Sequence, residues 1–271
     1  MLRRHPSRYR RFPEYFKRRR RYGDGSGGGL ASGEVGESGG VYYGFTDFSE
    51  FDVGAGLPTG LTLYGTVANQ PSTIAIANDV TEGNYITMDG HASSGRWGMG
   101  VDAFDALIRQ GEILARIWIP NVTTSNTRNL GCGMNMDGLT AATYDHMGGA
   151  VLNRTNGDQE SFIYQVINGA QGEITVADIQ EAEQYGAWAW HRFRKVDNET
   201  TPANDDLFIK TWFGDIADEP VSFDIAALNR AGTLRQTTAI GWGTMFSSTS
   251  QLRVSYFSFT GDPTAVDAPE P

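Results

Sequence analysis

Apolar and polar positions alternate with a period of two through most of the chain, and most clearly between Tyr185 and Pro220. Two strand-like runs there, 188–196 and 207–213, flank a polar insert carrying Asp197, Asn198, Pro202, Asn204, Asp205 and Asp206. In the first run Trp188, Trp190, Arg192 and Arg194 fall on one side, and Ala189, His191 and Phe193 on the other. In the second, Phe208, Lys210 and Trp212 oppose Leu207, Ile209 and Phe213. Alternation bounded by turn formers predicts an antiparallel hairpin.

The same pattern recurs on either side. VYYGFTDF, from Val41, opens a first strand, and 50–58 is a loop with two glycines. GLTLYGTV, STIAIANDV and NYITMDG follow as short alternating segments, and GRWGMGVDAF comes next. GEILARIWIP reads as a buried strand with Ile113, Ala115, Ile117 and Ile119 on one face. LGCGMNM, HMGGAVLN and SFIYQVING continue the strands, with Asn156-Gly157-Asp158 as a hairpin turn. The stretch 173–186 has room for a helical turn, and 221–232 reads as a short helix or a loop. AIGWGTMFS and LRVSYFSFTG close the body as two strands, followed by an exposed acidic tail over 264–271. No fixed-period repeat is present, and strands do not alternate with long helices. The pattern predicts an all-β, two-sheet antiparallel sandwich.

Composition supports a real core, with 39% hydrophobic and 11% aromatic residues in 271, and 34 glycines suit many tight turns. One cysteine, Cys132, excludes an intramolecular disulfide and reads as a small buried hydrophobe. No apolar run is long enough to span a membrane, and the basic amino terminus lacks the apolar core of a secretory signal. Synthesis in a cytoplasm, with retention there or release from it by lysis, is the expectation.

Charge divides the chain. Residues 1–21 hold ten cations against Glu14, a balance of +9, so the net −10 leaves −10 − 9 = −19 for the rest. The basic arm, 1–22, interleaves aromatic residues with these arginines and cannot bury a core alone. It can dock on an acidic protein partner, ordering as it binds, through Arg3, Arg4, Arg8, Arg10, Arg11, Phe12, Tyr15, Phe16, Arg18, Arg19, Arg20 and Arg21. It can instead bind nucleic acid, arginines on phosphate and aromatics on bases, or be a solvated tail. Residues 23–40 are a glycine- and serine-rich linker of flexible composition, separating the arm from a body over 41–263.

Catalytic motifs are scarce. The nearest carboxylate spacing, Glu181-Ala182-Glu183, lacks a third acid and an aromatic strand. The four histidines show no ligand spacing, and no nucleophile elbow or phosphate loop occurs. A lyase pair could be assembled from His191 with Tyr185 or Tyr256. Sugar binding needs flat aromatic faces and polar groups for hydroxyls. Trp188 and Trp190, sharing a side with Arg192 and Arg194, suit a partly exposed surface, and Trp97 sits beside Arg96 in a glycine-rich loop. Trp118, between Ile117 and Ile119, reads as structural, and Arg192 and Arg194 have ion pairing on the sheet as their plainer role.

The order FTDFSEF, GLPTGLT, GEILARIWIP, WAWHRFRKV, LFIKTWFGDIADEP, LRVSYFSFTGDP resembles the concanavalin A-like lectin and glucanase superfamily over roughly 41–263. It is similar in particular to the laminin-G-like jelly rolls of phage virion proteins and carbohydrate-binding modules. Trp190, Arg192, Phe193, Arg194, Leu207, Lys210, Trp212, Glu219 and Pro220 carry the best local match. The resemblance implies a jelly roll with one concave face that holds sugar in the lectins and glucanases. It also implies a possible structural calcium, with Asp47 and Asp262 as ligands, although calcium needs six or more oxygens. The glucanases' E-x-D-x-E strand is absent here. Together these features lead to the expectation of a non-enzymatic virion protein: a capsid decoration, head fibre or tail component. Its arm would anchor in a capsid or tail protein while its jelly roll displays a glycan-binding surface. A glucanase or lyase of the same fold is the alternative, and no residue pattern selects an oligomeric symmetry.

Overall fold

The computed structural model describes the backbone of residues 36–38, 41–65, 67–89, 97–101, 110–119, 128–134, 146–152, 159–167, 170–178, 184, 186–197, 204–231, 240–244 and 251–261. The basic arm, most of the linker, the tail and Asp262 lie outside the described residues. The chain folds as a two-sheet antiparallel jelly-roll sandwich.

Sixteen strands are described. They are β1 (Gly36–Ser38), β2 (Val41–Thr46), β3 (Thr62–Gly65), β4 (Thr73–Asp79), β5 (Gly83–Asp89), β6 (Trp97–Val101), β7 (Gly111–Ile119) and β8 (Arg128–Met134). Then come β9 (His146–Leu152), β10 (Gln159–Ile167), β11 (Ala170–Asp178), β12 (Ala187–Asp197), β13 (Asn204–Phe213), β14 (Ile225–Ala231), β15 (Ile240–Thr244) and β16 (Leu252–Gly261). One sheet has nine strands in the order β1-β2-β16-β7-β12-β13-β14, with β4 and β5 joined to it through the β5–β16 pairing. The other has seven, in the order β11-β10-β9-β8-β15-β6-β3. The last strand, β16, pairs with β2 over Phe257–Gly261 and with β5 over Leu252–Val254, which brings the two ends of the body together.

The hairpin predicted from alternation is the pair β12–β13, in the register Trp190↔Trp212, Arg192↔Lys210 and Phe193↔Ile209. Two expectations change. Residues 225–231, read as a short helix or loop, form strand β14 on the edge of β13. Residues 170–178 form β11, so the first half of the stretch given a possible helical turn is extended. In both places pairing with a neighbouring strand overrides weak local propensity. The Asn156–Asp158 turn lies outside the described residues, between the antiparallel strands β9 and β10.

The sheets pack through one face each. From the nine-stranded sheet come Ile113, Ala115, Ile117, Phe193, Leu207, Ile209, Val254, Phe257 and Phe259, and from the seven-stranded sheet Trp97, Met99, Val101, Cys132, Ile240 and Trp242. Each fully buried Val, Leu, Ile, Met or Phe among them contributes roughly 1.5–3 kcal/mol. The seven-stranded sheet achieves this with strands whose alternate positions are glycine. Gly98, Gly243, Gly131 and Gly149 stand in one register row, and Gly100, Gly241 and Gly133 in the next. Strands here approach so closely that a Cβ on Gly241 would lie 2.0 Å from the Met99 carbonyl oxygen. Between these rows Trp97, Met99, Cys132, Ile240 and Trp242 supply the bulk, and it faces the core.

Candidate functional site

The remaining face of the nine-stranded sheet carries the chemistry, and it is concave. Tyr85 on β5 and Trp188 on β12 are separated by β16 and β7, a flat span of roughly 14 Å at ordinary strand spacing. Their ring centroids are nonetheless 5.5 Å apart. The sheet curves enough to bring side chains of β5 and β12 together over β16 and β7, and the outward residues of four strands meet inside the curve.

One end of this face is closed by ion pairs. Glu112 of β7, 1% exposed, engages the guanidinium groups of both Arg192 and Arg194 on β12. Arg194 Nε donates to Glu112 Oε2 at 2.6 Å. On the other side Arg192 Nη2 donates to Glu219 Oε2 at 2.8 Å, and Glu219 also pairs with Lys210 of β13. The ion pairs therefore run Arg194, Glu112, Arg192, Glu219, Lys210, with charge alternating at each step. Burial works to lower the Arg192 pKa, but the charges and hydrogen bonds of Glu112 and Glu219 outweigh it, so the guanidinium stands above its ordinary value.

A strap, residues 214–224, lies across this end. It leaves β13 at Gly214, whose φ of +87° suits a residue without a side chain. Trp190 Nε1 donates to the Gly214 carbonyl at 3.3 Å and Trp212 Nε1 to that of Asp215 at 3.2 Å. Ile216, in a 3-10 turn over 216–218, packs on Leu114, Trp190, Trp212 and Tyr256. Lys210 Nζ donates to the Pro220 carbonyl at 2.8 Å, and the Phe223 ring lies under Lys210 and Arg194 at 4.8 and 5.7 Å. Asp224 returns the chain to the sheet, its N–H on the Ile209 carbonyl and its carboxylate accepting the Thr211 N–H at 2.8 Å.

The middle of the face is aromatic and buried. Trp190 stacks on Trp212 (6.2 Å, 19° between planes) and meets Tyr256 edge-on at 5.6 Å. Arg116 lies 5.0 Å over the Trp190 ring and donates from Nη2 to Glu82 Oε1 at 2.9 Å. Burial raises the Glu82 pKa, with Arg116 pulling the other way.

The opposite end is open. Trp118 and Trp188 form a cross-strand pair, edge to face at 5.5 Å, and Tyr85 meets Trp188 on its other side. Tyr85, Trp118 and Arg253 are part-exposed, whereas Trp190 and Trp212 are 3% and 0% exposed. The Arg253 guanidinium sits 5.4 Å over Trp118 and 5.8 Å over Tyr85, held between the two rings, and its Nε donates to Gln251 Oε1 at 2.6 Å.

These positions revise the sequence expectations. Trp97 is not in an accessible loop but in β6, fully buried in the core, because alternate glycines turn its strand's only bulk inward. A ring with no exposed face cannot stack on a sugar. Trp190, Arg192 and Arg194 share a side with Trp188 as expected. Trp190 and Arg192 lie beneath the strap, however, and both arginines are ion-paired, which removes them from a partly exposed surface. Of the predicted set, Trp188 alone lies at the open end, and it too is buried, at 9% exposed, instead of partly exposed as expected. Trp118, read as structural, is its part-exposed partner. Alternation could have found it, since the register that turns Ile117 and Ile119 inward turns Arg116 and Trp118 outward. Tyr85 and Arg253 join only through the β5–β16 pairing, which no local pattern encodes.

His191 lies on the core side of the sheet, fully buried, with Nδ1 3.1 Å from Thr211 Oγ1. Burial pulls its pKa down to about 3, so it is neutral. Tyr256 faces the concave side, so the His191–Tyr256 pair is split between the two faces. Glu181, Glu183 and Tyr185 lie outside the described residues. Asp47 is exposed and accepts hydrogen bonds from the Ser49 N–H (3.0 Å) and hydroxyl (2.6 Å). Among the described residues no group of three or more His, Cys, Asp or Glu side chains could hold a metal, so a calcium shell there would need backbone carbonyls and water. No helix among them is long and apolar enough to cross a membrane.

No family model matches this sequence, and no curated protein matches it. Solved structures do resemble it. The chain is similar to a Bacteroides ovatus mixed-linkage glucan GH16 protein, at 10% identity and a TM-score of 0.49, with 79% of this chain and 98% of that one covered. It is similar to the marine PL-14 alginate lyase from Aplysia kurodai (9% identity, TM-score 0.46, 74% and 89% covered). It is also similar to the CBM2 module of the evolved Dit of Lactobacillus casei BL23 phage J-1 (8% identity, TM-score 0.45, 80% and 94% covered). These likenesses concern the path of the chain, and the function is argued from the site.

Proposed function

We propose that the chain is a glycan-binding jelly roll displayed on a virus particle, anchored there by its basic arm. The observation that carries the glycan reading is the open end of the concave face. There Tyr85 and Trp118 flank Arg253 and are part-exposed, with the buried Trp188 ring packed against both, while comparable aromatics a few residues away are sealed. Aromatic surface beside oriented hydrogen-bond donors is what a pyranose requires, with C–H groups on the rings and hydroxyls on the polar groups. The reading as a binder, and not a hydrolase, rests on Glu112 and Glu219, which are both engaged by Arg192 and so make a poor acid–nucleophile pair. The virion reading rests on the order of the sequence: a +9 arm, a flexible linker, then a body of −19. A capsid or tail protein is the partner this order suits, and the arm is the contact.

Two experiments test this. The full chain, applied to an array of bacterial and host glycans, should give signals that Trp118→Ala loses. An array that stays silent, or signals unchanged by the substitution, would reject the glycan reading. Deleting residues 1–22 should leave a folded body that no longer incorporates into assembled particles. Equal incorporation of both chains would reject the anchor.

A further inference from the structure

Four cations of the concave face have identified roles. Arg192, Arg194 and Lys210 are ion-paired with Glu112 or Glu219, and Arg116 with Glu82. Arg253 is the contrast. Among the described residues no carboxylate lies within salt-bridge distance of it. Asp79, close enough to feel its charge, instead accepts the backbone N–H groups of Thr81 and Glu82. Yet Arg253 is firmly placed. Two aromatic faces hold the plane of the guanidinium, and Gln251 takes its Nε–H. Stacking and a single anchoring bond leave the Nη1 and Nη2 edge, four N–H donors in a fixed fork, for an outside acceptor. The arrangement also occupies the ring faces of Tyr85 and Trp118 toward Arg253. What this end presents is therefore a pre-set positive fork bordered by aromatic edges, in a body whose balance is −19.

Resting on the glycan-binding reading of this end, we propose that its ligand is an acidic polysaccharide, with the Nη edge of Arg253 taking a uronate carboxylate. The planar fork matches a carboxylate in a bidentate pair, which a neutral hydroxyl cannot reproduce. The aromatic edges of Trp118 and Trp188 then border the sugar ring that carries the acid. An acidic body with an oriented cation that has no carboxylate partner among the described residues repels polyanions elsewhere on its surface and steers them to this point.

The arm could bind any polyanion, so the test must be blind to it. Residues 1–22 contain no tryptophan, whereas Trp118 and Trp188 flank the proposed site. Tryptophan emission of the full chain is therefore followed during titration with a tetrameric galacturonate, a neutral tetramer of galactose and a sulfated dextran oligomer. The galacturonate should give a saturable change, weakened about tenfold or more in Arg253→Gln, the size of a lost charge-assisted pair. Arg253→Lys should recover part of it. Gln251→Ala, which keeps the charge but frees the fork, should lose a few-fold and serves if Arg253→Gln does not fold. If the neutral tetramer binds as well and ignores Arg253→Gln, the acidic ligand is wrong while glycan binding stands. A sulfated oligomer preferred over galacturonate overturns the carboxylate. Binding that leaves tryptophan emission unchanged and is equal in Arg253→Gln belongs to the arm and overturns the proposal. Silence from all three ligands, together with a silent glycan array, removes the glycan reading itself.

Discussion

The two ends of the concave face use arginine in opposite ways. At the strap end, Arg192 and Arg194 share Glu112, Arg192 and Lys210 share Glu219, and residues 214–224 cover the network. At the open end, Arg253 has two aromatic rings and a glutamine for neighbours. A buried cation without its carboxylate would be costly, so the first set is fixed by the fold and serves it. A part-exposed cation tolerates an empty fork because water solvates it, and it remains ready for a ligand. Similar residue types on one sheet thus stand in different surroundings, and in the proposed reading take different roles, according to what covers them.

Breaking the strap end should have the largest effect. Glu112→Gln leaves two guanidinium groups beside a neutral amide in a buried place, at a cost of about 3–5 kcal/mol. Thermal denaturation should show this as a midpoint lowered by roughly 10 °C. A loss within about 1 kcal/mol would mean that water reaches the network and that the two ends do not differ as described.

Next is the acid side of the pH range. His191 has its pKa pulled from about 6.5 to about 3 by burial, so between these values the unfolded chain holds a proton that the folded chain lacks. Stability contributed by this site is present above pH 6.5 and is lost as pH falls toward 3, at up to about 1.4 kcal/mol per pH unit. Urea denaturation at pH 7, 6 and 5 should show the decline, and His191→Gln should flatten it. An unchanged slope in the variant would place the titration elsewhere.

Changes at the open end should touch stability least. Trp118→Ala removes a half-buried ring and should cost about 1–2 kcal/mol while abolishing glycan signals. Arg253→Gln should shift stability by less than about 1 kcal/mol, because its contacts are part-exposed stacking and one hydrogen bond. If Arg253→Gln destabilised the chain as much as Glu112→Gln, the open end would be structural as well.

The sequence showed sides but not covers. Alternation in WAWHRFRKV and LFIKTWF placed Trp188, Trp190, Arg192 and Arg194 together and opposite Phe193, which the β12–β13 register bears out. It could not show that the strap would seal Trp190 and Arg192 while leaving Trp118 in reach, because burial of an outward face depends on a segment 24 to 27 residues away along the chain. Trp97 misled for a related reason: glycines on both sides suggest a loop, yet alternate glycines in a central strand serve close packing. Glu112 was visible within GEILARIWIP, but its partners are about eighty positions away in β12.

The most direct test of the division is a crystal structure of the full chain with a saturating oligosaccharide from the glycan array. The account predicts sugar density against Tyr85, Trp118 and Arg253, with the strap and the Arg192–Glu112–Arg194 network unmoved. Sugar bound beneath a displaced strap, or on the glycine-lined sheet, would contradict it.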